Sequence, residues 1–371
     1  MVIQFTQVNT VLARSLTLTI LAAALLAAPA FAQTAADNAE ARTLFERGND
    51  LFQKARASRG ERRDQLMRQA LTQYVNSLQI TRSRNAVYNA AALVTDGEIL
   101  GFAAKRFLPG DGIHYEPRWF KAWPQGVRSE LEKRGESYAL GDLHFEVDGL
   151  RIGFEICEDA WVAQRPGATL AQVGIDVIMN PSASHFAFGK QEVRERFVLE
   201  GSRAFGVAYL YSSLLGNEAG RVIYDGAPMI ASEGRMVARG RRFSFADHVL
   251  TTADVDIELN RMQQSRLAAF QPELQAHEST RICGRFPIPR ILRPEPSDEP
   301  PGRCEDLGRF EEFTRAEALG LFDYLRKSRS RGFVVSLSGG ADSAAVACLV
   351  ALSIRLSLAE IGIEGVRARL A

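Results

Sequence analysis

The sequence predicts an α/β fold, a two-layer β-sheet structure with helices on its outer faces. Two observations carry this. Asp96-Gly97 and Asp148-Gly149 each divide two apolar runs, 92–94 from 99–102 and 143–147 from 150–156. An Asp-Gly pair between such runs is a two-residue hairpin signal. Further along, a buried-type strand at 175–179 is followed by an amphipathic helix over Lys190–Phe205 and a strand at 207–212. Strands that arrive both as hairpins and around helices call for stacked layers.

The bulk composition narrows the function classes. Of the 371 residues, 46% are hydrophobic and 24% charged, and the net charge is +1. That is an ordinary globular balance, and it offers no electrostatic reason to expect a nucleic-acid partner. Cys157, Cys283, Cys304 and Cys348 are scattered without C-x-x-C spacing, and the five histidines form no HxxxH or HExxH pair. Neither a disulfide framework nor a metal held by protein side chains is expected.

Along the chain the texture changes four times. Arg14, the apolar run 16–31 and Ala30-Phe31-Ala32 predict a secretory leader over 1–32. Residues 35–90 predict a helical hairpin: Ala41, Leu44, Phe45, Gly48, Leu51 and Phe52, then Ala70, Leu71, Tyr74 and Leu78, recur at helical spacing, as in one tetratricopeptide repeat. A single repeat cannot bury its own face, so a plain hairpin is an equal reading. Strands and helices alternate from 91 to 283. Residues 284–303 hold six of the fourteen prolines and read as a linker. In 304–371 a helix at 310–327, a strand at 332–337 and a helix at 343–358 amount to about one βα unit. That is below independent folding size.

Cys157 closes the strand predicted at 151–156, in the run GFEICEDAW, and two acids follow it. A nucleophile at a strand end is fixed by the sheet and exposed at its edge. It acts as a thiolate, which needs a nearby cation. Lys105, after another strand, is the candidate, suited also to stabilising an oxyanion. An inert cysteine and a solvated lysine remain the alternatives. The second motif, Ser338-Gly339-Gly340-Ala341-Asp342-Ser343, stands between the predicted strand and helix. Its glycines permit close backbone approach, and its hydroxyls and helix N–H groups suit phosphate oxygens. An ordinary glycine-rich turn is the alternative.

Three longer runs, NAAALVTDGEILGFAAKRFLPGDGIHYEPRWF, GFEICEDAW and NPSASHFAFGKQEVRERF, stand in this order in the chain. They resemble the carbon–nitrogen hydrolase (nitrilase) domain of glutamine-dependent NAD synthetases, and SGGADS resembles the pyrophosphate loop of the synthetase half. The resemblance implies an αββα nitrilase-type sandwich, here N-terminally incomplete, followed by one βα unit of a Rossmann-like domain. It implies Cys157 as the nucleophile that forms a glutamyl thioester and releases ammonia, with Lys105 and the N–H of Glu158 on the oxyanion. Ser184 and Lys190 fall where the family contacts glutamine, and Glu116 matches its supporting glutamate.

Ser336, Ser338, Gly339, Gly340, Asp342 and Ser343 would hold ATP, with magnesium on its phosphates as part of that substrate. The other implied substrates are glutamine and nicotinic acid adenine dinucleotide, and the intact family implies a homo-oligomer. Two departures stand out. Asp111 occupies a position where the family often has tyrosine. No glutamate before Lys105 has the context of the family's general base, since Glu46 and Glu61 read as solvated charges of the hairpin. The expectation is a truncated, chimeric synthetase whose glutaminase step is crippled and whose missing early strands leave aggregation-prone edges. The leader points to export, the ATP chemistry to the cytoplasm. A stand-alone nitrilase-type amidase, or an exported repeat-type binding protein with a dead enzyme remnant, are the alternatives.

Overall fold

The computed structural model describes residues 2–8, 81–83, 86–95, 98–110, 113–133, 135–218, 221–267, 270, 280–285 and 307–370. The first layer is a four-stranded sheet, ordered β4-β5-β7-β6. Its strands are β4 (Ala90–Thr95), β5 (Glu98–Ala104), β6 (Arg128–Lys133) and β7 (Glu136–Gly141). Two short strands precede it, β2 (Thr81–Ser83) and β3 (Ala86–Tyr88), paired with each other.

The second layer has seven strands in the order β15-β14-β11-β10-β9-β8-β17. These are β8 (His144–Val147), β9 (Leu150–Phe154), β10 (Val177–Ser182), β11 (Ala208–Ser213), β14 (Met229–Ser232), β15 (Arg235–Arg239) and β17 (Arg281–Gly284). A separate hairpin joins β12 (Leu215–Glu218) to β13 (Val222–Asp225), and β1 (Val2–Val8) runs antiparallel to β16 (Leu250–Asp256).

Both predicted hairpins form. Ala90 pairs with Ala104 and Thr95 with Glu98 across the first. In the second, Val147 pairs with Leu150, while Asp148 (φ 53°) and Gly149 (φ 81°) turn the chain. Two consecutive positive φ angles are what a type I′ turn requires, and Asp-Gly supplies them at low steric cost. The parallel β9-β10-β11 core is connected through α1 (Pro166–Gln172) and α2 (Lys190–Phe205), the second matching its predicted bounds. Three further helices follow: α3 (Ile257–Gln264), α4 (Arg309–Ser328) and α5 (Ala341–Leu370).

Period-2 alternation divides each strand between two faces. Leu93, Ala103 and Ala139 of the smaller sheet meet Phe145, Ile152, Phe154, Val177, Met179 and Leu210 of the larger, forming the inter-sheet core. The opposite face of the larger sheet buries Ile178, Tyr209, Tyr211 and Met229 under Leu170 of α1 and Val198 of α2. This is the nitrilase-type α/β sandwich, with mixed sheets. A further cluster, Phe243 and Phe245 with Ala316, Leu319 and Phe322, seats α4 on the hairpin side.

Three expectations change. The stretch read as a leader begins with a strand, Val2–Val8, bonded along its whole length to β16. The rest of that stretch and the body of the predicted helical hairpin, residues 9–80, lie outside the described residues. The hairpin's final residues are not helical, because Thr81–Ser83 and Ala86–Tyr88 pair as strands. Finally, residues 332–337 form no strand: they have no ladder partner among the described residues, and Val334 is 103% and Leu337 68% exposed. The proline-rich linker lies outside the described residues except at its start, where Gly284 closes β17.

Candidate active site

Cys157 follows β9, an interior strand of the larger sheet between β10 and β8, and begins a 3-10 turn, Cys157–Ala160. Its φ is +50°, a left-handed conformation uncommon for a residue with a Cβ. Such strain costs on the order of 1–3 kcal/mol and persists only where the surroundings hold it. Here they do. The carboxylate of Asp159 accepts from the N–H of Ile156 (2.9 Å), of Phe107 (2.8 Å) and of Arg106 (3.2 Å). One buried side chain thus ties the nucleophile turn to the segment after Lys105. Burial pushes the Asp159 carboxyl up to about 7, against the N–H bonds from Ile156 and Phe107 and the Lys105 charge.

Lys105 stands at the end of β5. Its N–H donates to Asn89 O (2.8 Å) and its carbonyl accepts from Trp123 N (3.0 Å), which fixes the backbone. The side chain is buried, and Nζ donates to both oxygens of Glu116 at 2.8 and 2.7 Å. Burial alone would lower the ammonium's pKa. The negative charges of Cys157 and Glu116 outweigh it, and the pKa is raised. Glu116 begins a second 3-10 turn and receives a weak contact from Asn89 Nδ2 at 3.5 Å. Lys105 and Glu116 therefore form one buried ion pair, and the ammonium lies within electrostatic range of Cys157. Glu158 is half-buried directly after the nucleophile.

Ser184 is buried after β10, its N–H on Ser213 Oγ (3.2 Å). Lys190, the first residue of α2, lies with Nζ 5.6 Å from the ring centre of Trp161 and feels the charge of Cys157. Sequence reasoning missed what holds this wall. Arg194 is fully buried: Nε donates to Ser184 Oγ (3.1 Å), Nη2 to the carbonyls of Ser184 (3.0 Å) and His185 (2.8 Å), and Nη1 to Asp225 (2.7 Å). Asp225 also accepts from Arg242 Nε at 3.0 Å, and Arg242 continues to Glu312 on α4. The signal was present, since 194, 198, 201 and 202 share the buried face of α2 at helical spacing. Beneath β9, Glu155 accepts from Arg165 Nη2 (2.6 Å), Tyr209 OH (2.6 Å) and Gly167 N (2.7 Å). This too was missed, because its partners lie far apart in sequence.

The second motif is elsewhere and is differently built. Ser336, Ser338, Gly339, Gly340 and Asp342 are exposed, and Ser343 is half-buried. Gly339 has φ +81° with open space around a would-be Cβ. Ser338 Oγ and Ser343 Oγ lie 3.2 Å apart, and Ser343 Oγ donates to Gly340 O at 3.1 Å. Serine hydroxyls, a left-handed glycine and the start of a long helix suit phosphate oxygens. Asp111 lies outside the described residues.

The sequence model of the carbon-nitrogen hydrolase family matches residues 44–266, more than half of the chain. The chain belongs to the carbon-nitrogen hydrolase family. The match begins inside the stretch read as a helical hairpin. Among similar proteins is the mouse glutamine-dependent NAD(+) synthetase, 31% identical over 291 residues, which are 72% of this chain and 38% of that protein. The crystal structure of a glutamine-dependent NAD(+) synthetase from Cytophaga hutchinsonii superposes with a TM-score of 0.61 at 35% identity, over 82% of this chain and 44% of that one. A glutamine-dependent NAD+ synthetase from Acinetobacter baumannii, in complex with ADP, shares the fold at 18% identity and TM-score 0.54, over 85% and 54% of the two chains. The carbon-nitrogen hydrolase spans less than half the length of the curated relatives it matches, 38% of the mouse protein.

Proposed function

We propose that this carbon-nitrogen hydrolase is the glutamine-hydrolysing part of a glutamine-dependent NAD synthetase, with Cys157 as nucleophile. The observation that carries the reading is the buried Lys105–Glu116 pair, whose ammonium responds to charge on Cys157. The thiolate sulfur adds to the side-chain amide carbon of glutamine, and the carbonyl oxygen becomes an oxyanion held by Lys105 and the N–H of Glu158. Collapse breaks the C–N bond, the nitrogen leaves with an added proton as ammonia, and a glutamyl thioester remains. Water then adds to the thioester carbon and sulfur departs. Ser184 and Lys190 contact the rest of the glutamine.

Both oxygens of Glu116 are committed to Lys105, so Glu116 is poorly placed to take the proton of the attacking water. A general base contributes about two to four orders of magnitude. We therefore assign a crippled second step, in which the thioester outlives the burst of ammonia. Mixed with glutamine, the protein should release about one equivalent of ammonia and gain a glutamyl mass on the Cys157 peptide. A Cys157→Ala variant should do neither. If wild type and variant are both silent, the assignment of Cys157 is wrong, and rapid multiple turnover would remove the impairment.

The ammonia would serve an ATP-dependent amidation. The carboxylate of nicotinic acid adenine dinucleotide attacks the α-phosphate of ATP, pyrophosphate leaves, and ammonia displaces AMP. Ser338, Gly339, Gly340 and Ser343 would bind the phosphates, with Ser336 and Asp342 beside them and magnesium accompanying ATP. The ATP chemistry implies the cytoplasm, whereas a leader over 1–32 would imply export. Titration calorimetry with magnesium-ATP should give a heat that Ser343→Ala reduces, and no heat at millimolar ATP would discard this half.

A further inference from the structure

Three titratable side chains stand in a row at the cysteine site. His114 Nε2 lies 2.9 Å from His185 Nδ1, and Lys190 Nζ lies 3.2 Å from the same nitrogen and 3.4 Å from His185 Nε2. An ammonium only donates, so a ring in contact with it is neutral, and Nζ, nearly equidistant from the two ring nitrogens, sits over the electron-rich ring. The single in-plane lone pair of Nδ1 accepts from His114 Nε2–H at 2.9 Å, which fixes the ring from behind. The His185 backbone is itself held, by Arg194 Nη2 on its carbonyl at 2.8 Å and by an isolated bridge to Tyr224.

Lys190 needs such a partner. It opens α2, where the positive end of the helix dipole disfavours a cation. Its other contact is the face of Trp161, the residue that closes the nucleophile turn. We propose that His185, oriented by His114, is a positioning residue that aims the Lys190 ammonium at the mouth of the Cys157 site to receive a substrate carboxylate. The proposal rests on the reading of Lys190 as a substrate contact. Its new content is that a neutral imidazole sets the direction of that charge, and that the arrangement works only in a bounded pH interval.

The interval follows from the groups around the pair. Burial, then the cationic neighbours Lys190, His114 and Arg194, push His185 down to about 4, with Asp225 opposing. Burial and Arg194 push Lys190 down to about 8, while Cys157, Asp225 and Glu158 act the other way. Tyr224 of β13 bridges the His185 backbone, and its hydroxyl donates to Glu218. Between about 4 and about 8, His185 is neutral and Lys190 charged. Below the interval, a protonated His185 offers Lys190 no acceptor and repels it. Above it, the ammonium is lost.

Alkylation of Cys157 reads this without relying on turnover. The rate ratio of iodoacetate to iodoacetamide, followed at the Cys157 peptide by mass spectrometry, reports an aimed cation because the reagents differ in a carboxylate. A single charge felt at ~4 Å through water predicts a ratio about fivefold above that of an unstructured thiol peptide. It should fall above about pH 8, as Lys190 loses its charge. His185→Phe should lower the ratio and flatten its pH profile, whereas His185→Gln, which keeps an acceptor, should restore much of it. An unchanged ratio and profile in folded His185→Phe, or equal loss in the Gln and Phe variants, would overturn the proposal. Ammonia release from glutamine is scored separately. Its absence with the carboxylate preference intact removes glutamine as substrate and leaves the positioning role standing.

Discussion

The Cys157 turn and the 338–343 loop were equally conspicuous in the sequence, each an apolar run, a sharp turn and a helical start. In the fold they differ sharply. Cys157 leaves β9, which has β8 on one side and β10 on the other, and its strained φ is held by N–H bonds into a buried carboxylate. The 338–343 loop leaves a segment with no strand partner, and its hydrogen bonds run mostly within the loop. The difference separates two properties a motif is often assumed to combine: residue types suited to a chemistry, and a scaffold that holds them to it.

That contrast can be broken most directly at Arg194. Replacing it with methionine would leave Asp225 half-paired and strip the donors from the buried carbonyl of Ser184 and the half-buried one of His185. Breaking a buried ion pair from one side costs about 3–5 kcal/mol, so urea unfolding of Arg194→Met should shift by that order. A shift typical of surface substitutions would mean that the wall is not cooperative with the core.

A smaller effect is expected at Asp159. Its carboxyl is raised from 3.8 to about 7 by burial, so the folded state binds a proton that the unfolded chain has released across that interval. Its contribution to stability is therefore present in acid and is lost as the pH rises through about 7. Asp159→Asn keeps the shape and removes the titration. Melting curves between pH 4 and 8 should show wild type losing more stability than the variant as the pH rises. Parallel profiles would show that Asp159 stays ionised throughout. Smallest of all should be Gly339→Ala. An added Cβ there meets open space, and the remaining penalty is the left-handed φ, on the order of 1 kcal/mol. Thermal unfolding should barely register it, and a large drop would place the loop inside a cooperative unit.

What the sequence disclosed follows the range of each interaction. Hairpins set by Asp148-Gly149 and the bounds of α2 depend on neighbours in the chain, and both were legible. Cys157, Lys105 and Glu116 were singled out because long motifs carried all three residues, and the structure pairs Lys105 with Glu116. Partner choice was not. Residues 332–337 have strand-like composition, but a strand also needs an edge to join, and composition does not report one. The same limit hid β1, whose alternation at Ile3-Gln4-Phe5-Thr6 was overshadowed by the apolar run that follows. The row of His114, His185 and Lys190 escaped because 71 residues separate its two histidines.

The seating of α4 has a practical side. Residues 309–328 lie wholly beyond the family match at 44–266. Yet Asp323 accepts from the N–H of Asn217 at 2.7 Å, packed so closely that any Cβ at Gly216 would lie 2.5 Å from its carboxylate. Phe322 stacks edge-on with Phe245, 5.4 Å apart, and Glu312 caps Arg242. Recombinant versions trimmed to the matched residues would uncover this apolar seam and leave Arg242 without its outer anion. A portable version of this catalytic unit should keep α4 and α5 together, because Val366 of α5 is buried in the same cluster and Glu360 accepts from Phe245 N at 3.3 Å, and a protease-resistant fragment should retain both helices.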